Sequence, residues 1–200
     1  MVVPMSEPRR LNDPDLLKGL THPLRRTLLR LLTQLGPATV SLLAARIDAD
    51  PGQISYHLRE LGKRGFIEEA PELARDRRER WWRVAPGSSA WSIDAFEDPA
   101  DRAVAEALYG SVVSDQFDRL RAYEAARAHF GRGWSEAAVT SNSELRLTPQ
   151  ELRELSAELD TVLRRWSDLG RLDPHTRPED RTPDGRQNVF LFFHAFPEEP

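Results

Sequence analysis

DPGQISYHLRELGKRGFIEEA, residues 50–70, decides the fold. Apolar residues recur at Ile54, Leu58 and Leu61, the spacing of one helix face. Asp50 suits an N-cap and the positive end of a helix dipole, and Pro51 fits a first turn that needs no N–H. Glycines at 62 and 65 stop the helix, and Phe66-Ile67 starts a short apolar strand. Gln53, Ser55, Tyr56, His57 and Arg59 fill the gaps between the apolar positions, and all of them can donate a hydrogen bond.

The flanks extend the pattern. Upstream, Thr39 caps VSLLAARI, with Leu42, Leu43 and Ile47 facing inward, and Asp48-Ala49 makes a turn. Two short helices joined by three or four residues have helix-turn-helix spacing. Before them, THPLRRTLLRLLTQLG places Thr21 as N-cap, Pro23 in the first turn and Leu24, Leu28, Leu31 and Leu32 on one stripe. Asp13-Pro14 opens a shorter helix reaching about Leu20. Downstream, FIEEA is a strand, PELARDRRER a charged loop and WWRVA a second strand. Trp82 shares a face with Val84 and should be core, while Trp81 points to the other face, toward the C-terminal part. A helix-turn-helix followed by a hairpin with a basic tip is a winged helix.

HPLRRTLLRLL followed by TVSLLAARIDADPGQISYHLRELGKRGFIEEA resembles the ArsR-like family of bacterial winged-helix repressors. The resemblance rests on Ser55-Tyr56-His57-Leu58-Arg59, on Gly65-Phe66-Ile67 and on the paired Trp81-Trp82, and it covers residues 13–86. It implies a dimeric DNA-binding repressor. Metal-sensing members of that family bind through cysteines or through paired His and carboxylates on a terminal helix. This chain has no cysteine and no such pair on a predicted helix, so metal sensing is not expected, and no cofactor is. Pro51-Gly52 also stands where many members carry polar residues.

A helix in the major groove reads base edges from its outward, N-terminal face. With Ile54, Leu58 and Leu61 inward, the expected DNA-binding residues are Gln53, Ser55, Tyr56, His57 and Arg59, joined by Arg75, Arg77 and Arg78 of the wing. Gln53 can bond adenine bidentately, Arg59 can reach guanine or a phosphate, and the wing arginines suit phosphate or the minor groove. The plain alternative is that each is a solvated surface residue. For His57, beside Leu58, a packing role competes with a base contact. His22 reads as a capping or packing residue.

The chain carries a net charge of −4, which would argue against a polyanion partner were the charge uniform. It is not. Residues 1–86 hold 15 Lys/Arg against 11 Asp/Glu, and residues 87–200 hold 13 against 21. The basic half suits DNA, and the acidity lies elsewhere. With 40% hydrophobic and 30% charged residues, the chain can bury a core and stay soluble. Having no cysteine, it has no disulfide, thiolate metal site or cysteine nucleophile. No run of 18 apolar residues and no signal-peptide core is present, so a cytoplasmic protein without membrane contact is expected.

The expected organisation is an N-terminal tail at 1–12, the winged helix-turn-helix at 13–86, a linker at 87–98, and a dimerisation and effector region at 99–200. The fold class is mainly α with small β. In the last region Pro99 starts a helix to about Phe130, with Ala103, Ala107, Leu108, Val112, Phe117, Leu120 and Tyr123 as its apolar stripe. A helix of that length, about 45 Å, is too long for one small core and calls for a second copy. Glu144–Leu147 reads as a strand, and Thr148-Pro149-Gln150-Glu151 as a capping box opening a helix to about Leu169. That helix is apolar at Leu152, Leu155, Leu159, Val162, Leu163 and Trp166. GRLDPHTRPEDRTPDGRQ reads as a loose loop and NVFLFFHAF as an apolar strand. The aromatics Tyr109, Phe117, Tyr123, Phe130, Trp134, Trp166, Phe190, Phe192 and Phe196 admit two readings: the lining of a pocket for an unidentified small-molecule effector, or core and dimer interface.

Three functions compete. The first is a homodimeric regulator that binds pseudo-palindromic double-stranded DNA. The second is a winged-helix module for protein contacts alone, which would not need the outward polar set together with a basic wing. The third is an enzyme, and the chain has no G-x-S-x-G, no H-E-x-x-H and no phosphate-cradling glycine loop, so no enzymatic activity is expected.

Overall fold

A computed structural model describes residues 9–10, 13–86, 89–90 and 93–199. These described residues form two compact units, one lying within 1–112 and 172–185 and the other within 113–171 and 186–199. The fold is mainly helical with a small antiparallel sheet. Among the described residues, no helix is long and apolar enough to cross a membrane.

The first unit runs β1 (Arg9–Arg10), α1 (Pro14–Leu20), α2 (Pro23–Leu35), β2 (Ala38–Thr39), α3 (Val40–Ile47), α4 (Pro51–Lys63), β3 (Ile67–Glu69), β4 (Trp81–Val84), β5 (Ser89–Ala90) and the first half of α5 (Pro99–Ala126). Local chemistry fixes the boundaries. Asp13 accepts from the Asp15 N–H, Thr39 from Leu42 and Asp50 from Gln53, so orphan N–H groups at three helix starts are satisfied. Thr21 is not the cap of α2. The imidazole Nδ1 of His22 accepts the Leu24 N–H at 3.2 Å, and the Thr21 hydroxyl donates backwards to the Lys18 carbonyl. The turn between α3 and α4 holds because Asp48 adopts a left-handed conformation, φ 48°, which a short polar side chain tolerates.

β4 is the centre of a three-stranded antiparallel sheet in the order β2-β4-β3. Ala38 pairs with Trp82, and Ile67, Glu68 and Glu69 pair with Val84, Arg83 and Trp82. A separate two-residue parallel pair joins Arg9–Arg10 to Ser89–Ala90. Beneath the sheet, Leu28 and Leu32 of α2, Leu43 of α3, and Ile54, Leu58 and Leu61 of α4 pack with Ile67 and Trp82. Each fully buried Leu or Ile contributes about 1.5–3 kcal/mol. Gly62 lets α4 approach the sheet, because a Cβ there would meet the Trp82 ring at 3.0 Å.

Leu42 departs from its expected inward position and is 44% exposed. Leu43 and Ile47, one helical turn apart, occupy the buried face of α3, and Leu42 lies about 100° round from Leu43. The core also continues beyond the hairpin. Phe96 is 3% exposed, and Ala105 and Leu108 of α5 are buried with it. The contact face of α5 is therefore Val104, Ala105, Leu108 and Val112, and the expected stripe members Ala103 and Ala107 are exposed.

The second unit holds the rest of α5, α6 (Arg132–Ala137) and α7 (Pro149–Leu169). The capping box at the start of α7 forms as predicted: Thr148 Oγ1 accepts the Glu151 N–H, and the Glu151 carboxylate accepts from the Thr148 N–H at 2.7 Å. Two expected strands do not form. Glu144–Leu147 and NVFLFFHAF (188–196) are irregular, so the described residues 93–199 contain no strand. Apolar character alone does not make a strand: its N–H and C=O groups need a ladder partner, and neither run finds one.

Candidate nucleic-acid interface

The residues of α4 divide cleanly. Ile54, Leu58 and Leu61 are fully buried, while Gln53, Tyr56 and Arg59 are exposed and Ser55 is half-buried at the flank. By 100° steps, Tyr56 and Arg59 sit opposite the buried stripe, and Gln53 lies at the helix start beside the Asp50 cap. Arg59 Nε donates to the Ser55 carbonyl at 3.2 Å and makes no ion pair among the described residues.

His57 parts from this set. It is only 9% exposed, withdrawn from the face that carries Tyr56 and Arg59. Its ring packs against that of His22, centroids 4.3 Å apart and planes tilted by 38°, and meets the Tyr56 ring edge-on at 5.1 Å. Burial, followed by the nearby His22 and Arg25, lowers its pKa, so the ring is neutral at physiological pH. Of the two roles expected for His57, its burial and ring contacts favour packing behind Tyr56 over a base contact. Its neighbour Glu60 anchors the end of α4. Lys63 and Arg64 each approach its carboxylate at 2.7 Å and lower its pKa to about 2. Arg64 also donates to the Asp15 carbonyl of α1 at 3.1 Å.

The hairpin tip between β3 and β4 is built by its carboxylates. Asp76 Oδ1 accepts the N–H groups of Arg78 and Glu79 at 2.7 and 3.1 Å, and Glu79 accepts that of Arg75 at 2.8 Å. The Arg75 N–H is also the largest cause of the lowered Glu79 pKa. Asp76 and Glu79 therefore spend their charge on the turn's own backbone. The exposed Arg77 and Arg78 make no ion pair among the described residues. Arg75 differs, lying 3.3 Å from Glu179, and Arg80 lies 3.7 Å from Glu69.

Glu179 belongs to the segment expected as a loose loop. Residues 172–181 instead form a strap seated on the base of the hairpin. Arg177 donates through Nε to the Leu73 carbonyl at 2.8 Å and through Nη2 to the same oxygen, and it lies 5.7 Å over the Trp81 ring. Trp81 faces away from the main core, as period two predicts, and is buried with Ala70 and Leu73 in a small cluster of its own. His175 lies 3.0 Å from Glu72, which also pairs with Arg83, and Arg181 donates to the Leu35 carbonyl at the end of α2. No periodicity announces the strap. Its only trace in the sequence is the run of His and Arg in DPHTRPEDR.

Among the described residues of the second unit, two groups of ring contacts are seen. Phe192 meets Phe117 and Phe190 at 5.7 and 5.6 Å, Arg119 lies 3.1 Å over Phe190, and Tyr123 meets Phe130 at 5.6 Å. Trp166 and Phe196 are 61% and 72% exposed.

Residues 20–70 match the model of a helix-turn-helix domain family. No curated protein matches the chain. Among solved structures, one described as "Possible transcriptional regulator for arsenical resistance" is 35% identical over 54% of this chain and 94% of its own, with a TM-score of 0.31. An ArsR family transcriptional regulator is 21% identical over 54% and 88%, with a TM-score of 0.30. Wild-type MarR from E. coli is 17% identical over 76% and 88%, with a TM-score of 0.32. TM-scores near 0.3 do not equate whole-chain folds. Residues 20–70 match a helix-turn-helix domain family, and the hairpin of β3 and β4 that follows completes a winged helix-turn-helix in this part of the chain.

Proposed function

We propose that this chain is a sequence-specific transcriptional regulator that binds pseudo-palindromic double-stranded DNA as a homodimeric repressor in the cytoplasm, without a cysteine metal sensor. The observation that carries this reading is the pairing of an outward Gln53-Ser55-Tyr56-Arg59 face on α4 with a wing whose Arg77 and Arg78 are left for an external anion. The solved structures similar to this chain include several described as transcriptional regulators.

In this reading α4 enters the major groove. Tyr56 and Arg59 take the base edges and nearest phosphates, Ser55 and Gln53 the flanks. Arg77 and Arg78 hold phosphates beside the wing. Arg75 is a weaker contributor because Glu179 competes for it, and His57 positions Tyr56. Two copies are required because one recognition helix reads only half of a two-fold site.

The test is binding of the purified chain to its own upstream DNA and to a random duplex across a salt series. The expected result is specific binding at least ~10³-fold tighter than non-specific, with affinity falling steeply as salt rises. Equal affinity for both duplexes would sink the reading and favour a module for protein contacts.

A further inference from the structure

Helix α7 has 21 residues, and none of them is buried. Among the described residues of its unit, none is buried at all. Yet α7 is strongly one-sided. Leu152, Leu155, Leu159, Val162, Trp166 and Leu169 recur at intervals of 3, 4, 3, 4 and 3 residues. These are the a and d positions of a coiled-coil seam, and Leu163 widens it on one flank. Val162, Trp166 and Leu169 are 53%, 61% and 59% exposed, the opposite of what such positions require. The polar residues on the far side are already paired: Arg164 with Asp160, Arg171 with Asp168, and Gln150 with both Arg153 and Glu154.

We propose that this seam is the contact surface for α7 of a second copy of the chain, and that the two helices run antiparallel. The proposal rests on the dimeric reading above and names the surface and its direction. Charge decides the direction. Glu158 and Arg165 border the seam, and neither makes an ion pair among the described residues. They are two turns apart, too far to reach each other on one helix. When α7 is turned end for end on a copy of itself, Leu152 faces the second Leu169, Leu155 faces Trp166, and Leu159 faces Val162. That register uses all six seam residues and sets Glu158 against Arg165 of the other chain twice, by symmetry. A parallel pair would instead set Glu158 against Leu163, Glu151 against Ser156 and Arg165 against Gly170, with no charge matched, and would stack Trp166 on itself.

The chain has no cysteine, so introduced thiols report without background. Leu152→Cys and Leu169→Cys are prepared as separate full-length variants and treated with a short bis-maleimide, singly and mixed, beside sedimentation of the unmodified chain. The antiparallel seam predicts covalent dimer in the mixture and little in either single variant, because like positions lie about 26 Å apart along the axis. Cross-linking of each single variant with itself overturns the direction. A sedimenting dimer that gives no cross-link in any sample overturns the seam while leaving the dimeric reading standing. A monomer at all concentrations overturns both. As a second arm, Glu158→Arg and Arg165→Glu should each raise the dimer dissociation constant roughly tenfold, and the double exchange should restore it. Failure of the double variant to recover refutes the charge argument.

Discussion

Replacing Arg177 with alanine should loosen the wing without unfolding the helices beneath it. The guanidinium is one of the few charged groups here that is mostly sheltered, with its side chain 16% exposed. It supplies two hydrogen bonds to the Leu73 carbonyl, whose residue is 5% exposed, and it covers the Trp81 ring. Truncation leaves that carbonyl without its donors and removes a cation from an aromatic face. A hydrogen bond to a charged group contributes about 1.5–3 kcal/mol, and the stacking about 0.5–1 kcal/mol. Re-entry of water offsets part of this, leaving about 2–3 kcal/mol of local destabilisation. At 1.4 kcal/mol per factor of ten, amide protection in residues 70–81 should fall by roughly 30- to 150-fold. Hydrogen exchange resolved by peptide measures this, and trypsin should cut more quickly at the wing arginines. Arg177→Lys, which keeps the charge but loses the planar fork, should fall between the two. The reasoning fails if protection at 70–81 is unchanged, or if α2 and α4 lose protection equally.

Other perturbations separate the parts of the account. Leu58→Ala should cost about 2–5 kcal/mol in denaturant unfolding, since Leu58 is fully buried at the centre of the main core; a loss below 1 kcal/mol would contradict its placement. Since the folded pKa of His57 lies below its ordinary value of 6.5, the unfolded chain binds the proton first. Stability should be unaffected well above pH 6.5 and should fall as pH drops through and below it; His57→Leu should flatten that part of the pH–stability curve. Glu60 acts lower, in the window from its ordinary 4.5 down to about 2, where protonation releases Lys63 and Arg64, and Glu60→Gln should remove that acid-limb loss. With two wings on the DNA, as proposed, Arg77→Ala with Arg78→Ala should reduce the slope of log affinity against log salt by about 3–4. An unchanged slope would remove those arginines from the phosphate contacts.

The winged helix was legible because its signals are local. Caps at Asp13, Thr39 and Asp50, leucines at helical spacing, and a three-residue turn each act within a few residues. His57 was harder: it lies on the border between faces, and only the packed partner His22, 35 positions away, shows which side prevails. Asp76 and Glu79 stand as two acids in a charged loop, and the sequence does not reveal that their oxygens are taken by backbone N–H groups. The strap was illegible for the same reason. Arg177 and Arg181 bind carbonyl oxygens, and every residue has one, so no complementary side chain marks the partner. The run NVFLFFHAF shows the limit of hydrophobicity as a guide, because pairing depends on a second strand that composition does not locate.

In the proposed function the outward face of α4 reads base sequence while the wing supplies sequence-independent attraction. The most direct measurement is the ratio of specific to non-specific DNA affinity, at fixed salt, for the unmodified chain and for Tyr56→Ala and Arg59→Ala. Each substitution should lower the ratio by about 1–3 kcal/mol, roughly 5- to 150-fold, with little change in binding to random duplex. A ratio that stays constant while both affinities fall together would contradict that reading.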